Sequence, residues 1–371
     1  MFRSHLRKGD VLISIVGTIG NSSLVTTDED ATCSCKLAIM RAKGTAILSE
    51  TMLVYIKTKY GQVQIQKFKR GAVQTGLLLE DFDQLYIPAF SMGFQSKIRD
   101  LVQITKTYQE SADEQYRNAE TVLLSALNYH PIVQTQGYSE KSFSSSFGIT
   151  GRLDAEYYQP KYDELFQLLS AFPTKQLKNV VNITKSIEPG SEYYSNKGIP
   201  FIRVSDVSKD GITEPSIRIP KTTVPTIENL YPKKDTILFS KDGSVGIAYK
   251  LVDDIEAVTS SALLHLTVKD ITAVLPDYLT LLLNSDIVQL QAEHDTSGAI
   301  IQHWKPSDIE QVVVPILPLK TQRQIAEKIE ESFSLRRQSK QLLENAKYAV
   351  EMAIEQGEDK AMRWLQEQGE L

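Results

Sequence analysis

Cysteine and histidine are scarce in this chain of 371 residues, which has two of the former and five of the latter. His5, His130, His265, His294 and His303 are scattered, and with Cys33 and Cys35 they supply neither a four-ligand set at zinc spacing nor an HExxH pair. Two cysteines two apart exclude a disulfide framework and read as small residues on one face of a strand. Long apolar runs are missing as well. No stretch of about 18 apolar residues occurs, which argues against a membrane-spanning helix. Met1 to Lys8 lacks the apolar centre of a secretory signal, so the cytoplasm is the expected compartment. Nucleotide chemistry is not encoded either. There is no Gly-x-x-x-x-Gly-Lys-Ser/Thr loop, no NPPY- or DPPY-type strand end and no Gly-rich loop for a methyl donor. Asp253-Asp254, the obvious carboxylate pair, falls in a turn between strands. The chain reads as non-catalytic, with no metal or cofactor of its own.

What is present is ordinary in bulk and unusual in arrangement. A hydrophobic fraction of 42% and a charged fraction of 23% are those of a globular protein. The net charge is −5, but residues 1–90 carry 11 Lys and Arg against 8 Asp and Glu. The acidic excess therefore lies elsewhere, partly in the Glu-rich C-terminal stretch. A basic domain held by acidic helices is compatible with binding DNA.

The arrangement is a repeat. Lys8-Gly9-Asp10-Val11-Leu12-Ile13 returns as Lys233-Lys234-Asp235-Thr236-Ile237-Leu238, and Gly17-Thr18-Ile19-Gly20 as Gly243-Ser244-Val245-Gly246. Asp81 to Pro88 returns as Asp308 to Pro315. A spacing near 226 residues means two copies of one domain rather than short solenoid units. A Gly-x-x-Gly that recurs inside two β segments predicts a tight turn rather than a phosphate loop. Thr259 and Ser261 stand where the first copy has Cys33 and Cys35, which supports the small-residue reading of that pair.

The fold class expected is α+β: two β-rich domains, the first partial, each followed by a long helix, the two helices pairing as an antiparallel coiled coil. The boundaries are a first domain at 1–92, a helix at 93–128, a linker at 129–152, a second domain at 153–320, a second helix at 321–357 and a tail at 358–371. Within the first domain, strands are predicted at Val11–Val16, Cys33–Met40 and Leu85–Ile87, with one helix at about 50–68. The first long helix carries a seam at Ile98, Leu101, Thr105, Tyr108, Ala112, Gln115, Ala119, Val122 and Ala126, and would be about 50 Å long. The second has Ile325, Ile329, Ser332, Arg336, Leu343, Ala346, Val350 and Ala353 near heptad spacing. Two similar domains on paired helices fit a ligand with two similar halves, and duplex DNA has that local symmetry.

Particular segments resemble a known family. Arg152-Leu153-Asp154-Ala155-Glu156-Tyr157-Tyr158, Gly198 to Val207, Ile237 to Gly246, and above all Pro318-Leu319-Lys320-Thr321-Gln322-Arg323-Gln324-Ile325 are similar to the DNA specificity (S) subunits of type I restriction-modification systems. The resemblance implies two target-recognition domains that read a bipartite double-stranded DNA site. It also implies helices that dock two methyltransferase (M) subunits, which carry the methyl donor, and restriction/translocase (R) subunits. The specificity subunit of a type II restriction-methylation enzyme, or a helical scaffold without DNA recognition, are the alternatives. One departure matters: the first unit begins opposite about Asn229, so the counterparts of Leu153 to Ile227 are absent from it. The expectation is an N-terminally shortened or partial subunit whose second domain alone reads DNA. Candidate DNA-contacting residues in that domain are the loop cations and small polar groups Lys185, Lys197, Lys209, Lys221, Lys241, Ser244, Ser297, His303 and Lys305. In the first domain they are Lys67, Lys69, Arg70 and Gln74.

Overall fold

The computed structural model describes residues 5–28, 30–44, 46–71, 75–131, 140–223, 225–296 and 302–369. They form two compact units, one of residues 1–113 with 334–371 and one of residues 114–333. No described helix is long and apolar enough to cross a membrane.

The first unit begins with β1 (Val11–Ser14), β2 (Ser22–Leu24) and β3 (Leu37–Met40), an antiparallel sheet with β1 in the middle. Strand alternation points Val11 and Ile13 inward, where both are fully buried. The expected helix at 50–68 is two, α1 (Ser49–Lys57) and α2 (Lys59–Lys67). Thr58 breaks it: its backbone is extended, and its hydroxyl accepts the Gly61 N–H at 3.2 Å. A Cβ at Gly61 would collide with the Tyr55 carbonyl, so a glycine is needed where α2 turns back on α1. The long helix α3 (Met92–Ala126) follows. Cys33 and Cys35 are free and precede β3 rather than lying on it.

The second unit opens with short α4 (Phe147–Thr150), α5 (Pro160–Ser170), β4 (Thr174–Gln176), α6 (Leu177–Val180) and β5 (Val181–Lys185). A smaller β region contains β6 (Ile199–Ile202), β7 (Val207–Ser208), β8 (Gly211–Ile212) and β9 (Arg218–Ile219). Then come β10 (Ile237–Ser240), β11 (Asp242–Gly243), β12 (Ala248–Lys250), β13 (Val258–Thr259) and β14 (Leu263–Val268). The last stretch has α7 (Pro276–Asn284), α8 (Asp286–Asp295), β15 (Gln302–His303), α9 (Pro306–Ile309), β16 (Val313–Pro315), the long α10 (Leu319–Gln356) and α11 (Glu358–Glu367). The principal sheet has the order β12-β10-β14-β5.

The repeat is exact in register. Val11 pairs with Leu24 and Met40, as Ile237 pairs with Lys250 and Leu266. Both Gly-x-x-Gly segments are tight turns: Gly17 and Gly20 have φ of 76° and 90°, Gly243 and Gly246 of 75° and 83°. The two sheets differ at one edge. β14 carries β5 on its outer side, whereas β3 has no such neighbour among the described residues. The segment Leu85–Ile87, expected as a strand, is not one. Its counterpart becomes β16 by pairing with β4, and no described residue supplies a β4 to the first unit.

Both long helices run through both units. In the first unit Ile98 and Leu101 of α3 share a core with Ala346 and Val350 of α10, and the Ser339 hydroxyl donates to the Thr105 carbonyl at 3.0 Å. In the second, Tyr116, Ala119, Leu123 and Leu127 share a core with Ile325, Ile329 and Phe333. The early part of each helix thus packs on the late part of the other, which makes them antiparallel. The buried seam leaves the expected register after Ala112, running through Tyr116 and Leu123 where Gln115 and Val122 were expected. An α-helix turns every 3.6 residues, and a fixed heptad drifts off its face. The expected tail is helix α11, whose Ala361 and Leu365 are buried in the first unit's core.

Candidate nucleic-acid interface

The register of the second unit gathers part of the predicted set at one end of its sheet. Lys185 on β5 lies opposite Leu264, which lies opposite Phe239 on β10. One or two residues further on, the chain leaves the sheet at Lys241–Val245 and enters it from Ser260–Ala262; Lys241 N–H donates to the Ala262 carbonyl at 2.9 Å. β11 then pairs with β15, setting Asp242 opposite His303. Trp304, buried against Phe239 with ring centroids 5.7 Å apart, anchors the segment that exposes His303 and Lys305 on either side of it. Lys185, Lys241, Ser244, His303 and Lys305 therefore share one end of the unit.

The electrostatics of this end are more balanced than a count of lysines implies. Asp242 sits between two donors: Lys241 forms a salt bridge to one carboxylate oxygen, and His303 Nδ1 lies 2.9 Å from the other. Burial pushes the Asp242 carboxyl up, but the hydrogen bonds from Lys241 and His303 together outweigh it and hold the group below its ordinary range. The Lys241 side chain is only 15% exposed and is committed to this pair, whereas Lys305 is exposed. Ser244 is exposed at the tip of the turn that Gly243 and Gly246 close, and its carbonyl accepts the Ser240 hydroxyl. Fixed small polar groups beside cations suit a surface that holds phosphates and reaches base edges.

The remaining candidates lie elsewhere. Lys209 is turned onto α3: its Nζ is 3.6 Å from Glu120 and 4.4 Å from the Tyr116 ring centre. Lys197 and Lys221 are exposed in turns bordering the β6–β9 region. In the first unit Lys67 closes α2 and lies 5.7 Å from the Phe68 ring, and Lys69 is exposed. Arg70 is bidentate on Asp81, with Nη2 2.7 Å from Oδ1, and the guanidinium holds the Asp81 carboxyl below its ordinary range. Its fork is filled by an intramolecular partner that also accepts the Leu78 N–H. Ser297 and Gln74 fall outside the described residues.

Sequence reasoning passed over Asp242, which sets the charge of the site, and Glu188, whose carboxylate accepts the Ser261 hydroxyl at 3.0 Å beside it. It also passed over Gln289. That side chain donates to the Gly246 carbonyl at 2.8 Å and so fixes the candidate turn against α8. Gln62 does the same to Gly20 at 3.1 Å. The recurrence of glutamine at Gln62 and Gln289 was the available signal.

Residues 170–345 match the type I restriction modification DNA specificity domain. Over 117 residues the chain is 25% identical to the EcoBI type I restriction enzyme specificity subunit of Escherichia coli, a match that covers 32% of this chain and 25% of the relative. The match thus spans about a quarter of that relative's length. Among solved structures, a type I restriction-modification S subunit from M. genitalium is 13% identical with a TM-score of 0.40, covering 94% of this chain and 83% of the other. The HsdS subunit from Thermoanaerobacter tengcongensis is 16% identical with a TM-score of 0.35, covering 96% and 84%. The matched stretch begins at the end of α5, takes in the sheet and the clustered turns, and ends within α10; that stretch carries a DNA specificity domain of type I restriction-modification systems.

Proposed function

We propose that this chain is the non-catalytic, DNA-reading subunit of a type I restriction-modification complex, present in the cytoplasm. It binds a bipartite double-stranded target and scaffolds two methyltransferase subunits, which bring the methyl donor, and the restriction/translocase subunits. One observation carries the reading. Within the stretch that matches the specificity domain, separate loops deliver Lys185, Lys241, Ser244, His303 and Lys305 to one end of the sheet. Phosphate contacts from such cations hold the duplex, while Ser244 and His303 are placed to read it. The paired helices α3 and α10 are the surface for the methyltransferase subunits.

The test expresses the full chain with its cognate methyltransferase subunit and reads methylated bases across a genome. A bipartite methylated motif is the expected result, and no motif would leave a helical scaffold without DNA recognition. Duplex titrations over a range of salt then locate the contact. Lys305→Glu should weaken binding and flatten the log–log salt slope by about 1, the loss of one phosphate contact. Lys209→Gln, held on α3, should leave the slope unchanged. Equal effects of the two would remove the sheet end as the interface.

A further inference from the structure

Asp242 and Glu188 both put a carboxylate at the end of the second unit's sheet where the cations gather, and the fold treats them differently. Asp242 is neutralised, with Lys241 on one oxygen and His303 on the other. Glu188 is exposed, and no lysine, arginine or histidine pairs with it among the described residues. Such a charge costs affinity at a surface that holds phosphates, because it repels every phosphate alike. It is nevertheless braced.

The backbone around Glu188 is held on both sides. β5 ends at Lys185, and Ile187 then forms a parallel bridge with Ser260 and packs against the core of Phe201 and Val258. Pro189 is buried. The carboxylate is held by the segment that enters β14: the Ser261 N–H and hydroxyl donate to Glu188 Oε2 at 3.3 and 3.0 Å. One residue further on, the Ala262 carbonyl accepts the Lys241 N–H. Glu188 is thus tied through Ser261 to the same turns that carry Lys241. With Oε2 taken, Oε1 has no hydrogen-bond partner among the described residues.

A carboxylate accepts hydrogen bonds and donates none. In the major groove it is repelled by guanine O6 and N7 and by thymine O4, which leaves the amino groups of cytosine and adenine. Adenine sets its N7 acceptor beside N6, a pair that a carboxamide matches and a carboxylate does not. Cytosine offers N4 alone. We propose that Glu188 is a specificity-determining residue of the second unit, whose Oε1 accepts the N4 amino group of a cytosine in one half of the target. This role presupposes the DNA reading proposed above and assigns it a base. The cations hold the duplex, and the braced carboxylate sorts it by sequence.

The test compares the full chain and Glu188→Gln, each expressed with the cognate methyltransferase subunit, by methylated motif and by titration of duplexes carrying each base in turn at every motif position. The unsubstituted chain should require cytosine at one position in one half of the motif. Glu188→Gln keeps an acceptor for Ser261 and turns a donor outward. It should admit adenine at that position, cut the preference for cytosine about tenfold, and leave the other positions and the salt slope unchanged. Glu188→Ala should accept any base there. An unchanged motif in both variants overturns the proposal and leaves DNA reading standing. So does a change at a position that was not cytosine, or loss of the whole half-motif in both variants, which would make Glu188 a structural brace. Equal tightening on every duplex also overturns it, being the mark of a carboxylate that only repels phosphate. A chain that yields no motif at all overturns the DNA reading as well.

Discussion

The two units share a framework residue by residue and differ in what has been laid over it. Gln95 and Gln322 show the shared part. Each sits buried in the first turns of a long helix, 1% and 0% exposed. Gln322 accepts the Leu275 N–H at 2.9 Å and donates to the carbonyls of Ala273 and Leu317 at 3.0 and 2.8 Å. Gln95 accepts the Leu48 N–H at 2.8 Å and donates to Ala46 and Phe90 at 3.1 and 2.8 Å. One side chain thus ties the segment before α1 or α7 to the start of the helix that leaves the unit. Removing it strands three backbone groups, one of them in a buried hydrogen bond, and leaves a cavity, a cost of about 3 kcal/mol. Gln322→Ala and Gln95→Ala should each show this loss in amide exchange, read at Leu275 for one and at Leu48 for the other. If one substitution were silent while the other unfolded its unit, the two frameworks would not be equivalent.

His265 marks a point where the units part. It is buried on β14 with Nε2 2.8 Å from the Thr259 hydroxyl, and burial pulls its pKa from 6.5 down to about 4. Ile39 holds the same place on β3. The folded second unit keeps the ring neutral while the unfolded chain protonates it near pH 6.5, so the unfolded state binds more protons between these values. Stability should therefore be highest above pH 6.5 and fall by about 3 kcal/mol as the pH drops toward 4. His265→Ile installs the first unit's residue and should remove that part of the slope in denaturant titrations across pH. The first unit's amides should not respond. An unchanged slope in the variant would mean that the acid sensitivity resides elsewhere.

Much of this architecture was legible because the chain states it twice. The Gly-x-x-Gly turns, the strands around Val11 and Ile237 and both long helices follow from local chemistry that recurs at a constant spacing. The same Pro-Leu-x-x-Gln-x-x-Ile step that carried the family resemblance has its physical reason in the three bonds of Gln322. What failed was non-local. Leu85–Ile87 has the pattern of a strand but no partner among the described residues, and a strand is defined by its ladder. Lys209 and Arg70 look like free cations in sequence, yet Glu120 and Asp81 take them up from 89 and 11 residues away. Asp242 escaped notice because its importance lies in what it neutralises.

The smallest expected effect concerns a groove. In the second unit Tyr249 of β12 meets Phe333 of α10 edge-on, with ring centroids 5.8 Å apart. The first unit has Ser23 and Lys106 at these places, and there a groove of about 850 Å³ opens between the sheet, α1 and α3. Two small or hydrated side chains cannot close a space that two rings fill. Ser23→Tyr with Lys106→Phe should close it, and the two rings should couple by about 1 kcal/mol. A double-mutant cycle on the first unit's stability isolates that coupling, because each single substitution leaves a ring without its partner and should be nearly neutral. Coupling near zero would mean that β2 and α3 approach each other differently from β12 and α10, and that the repeat, which holds in the strand register, does not extend to the packing of the sheet on the long helix.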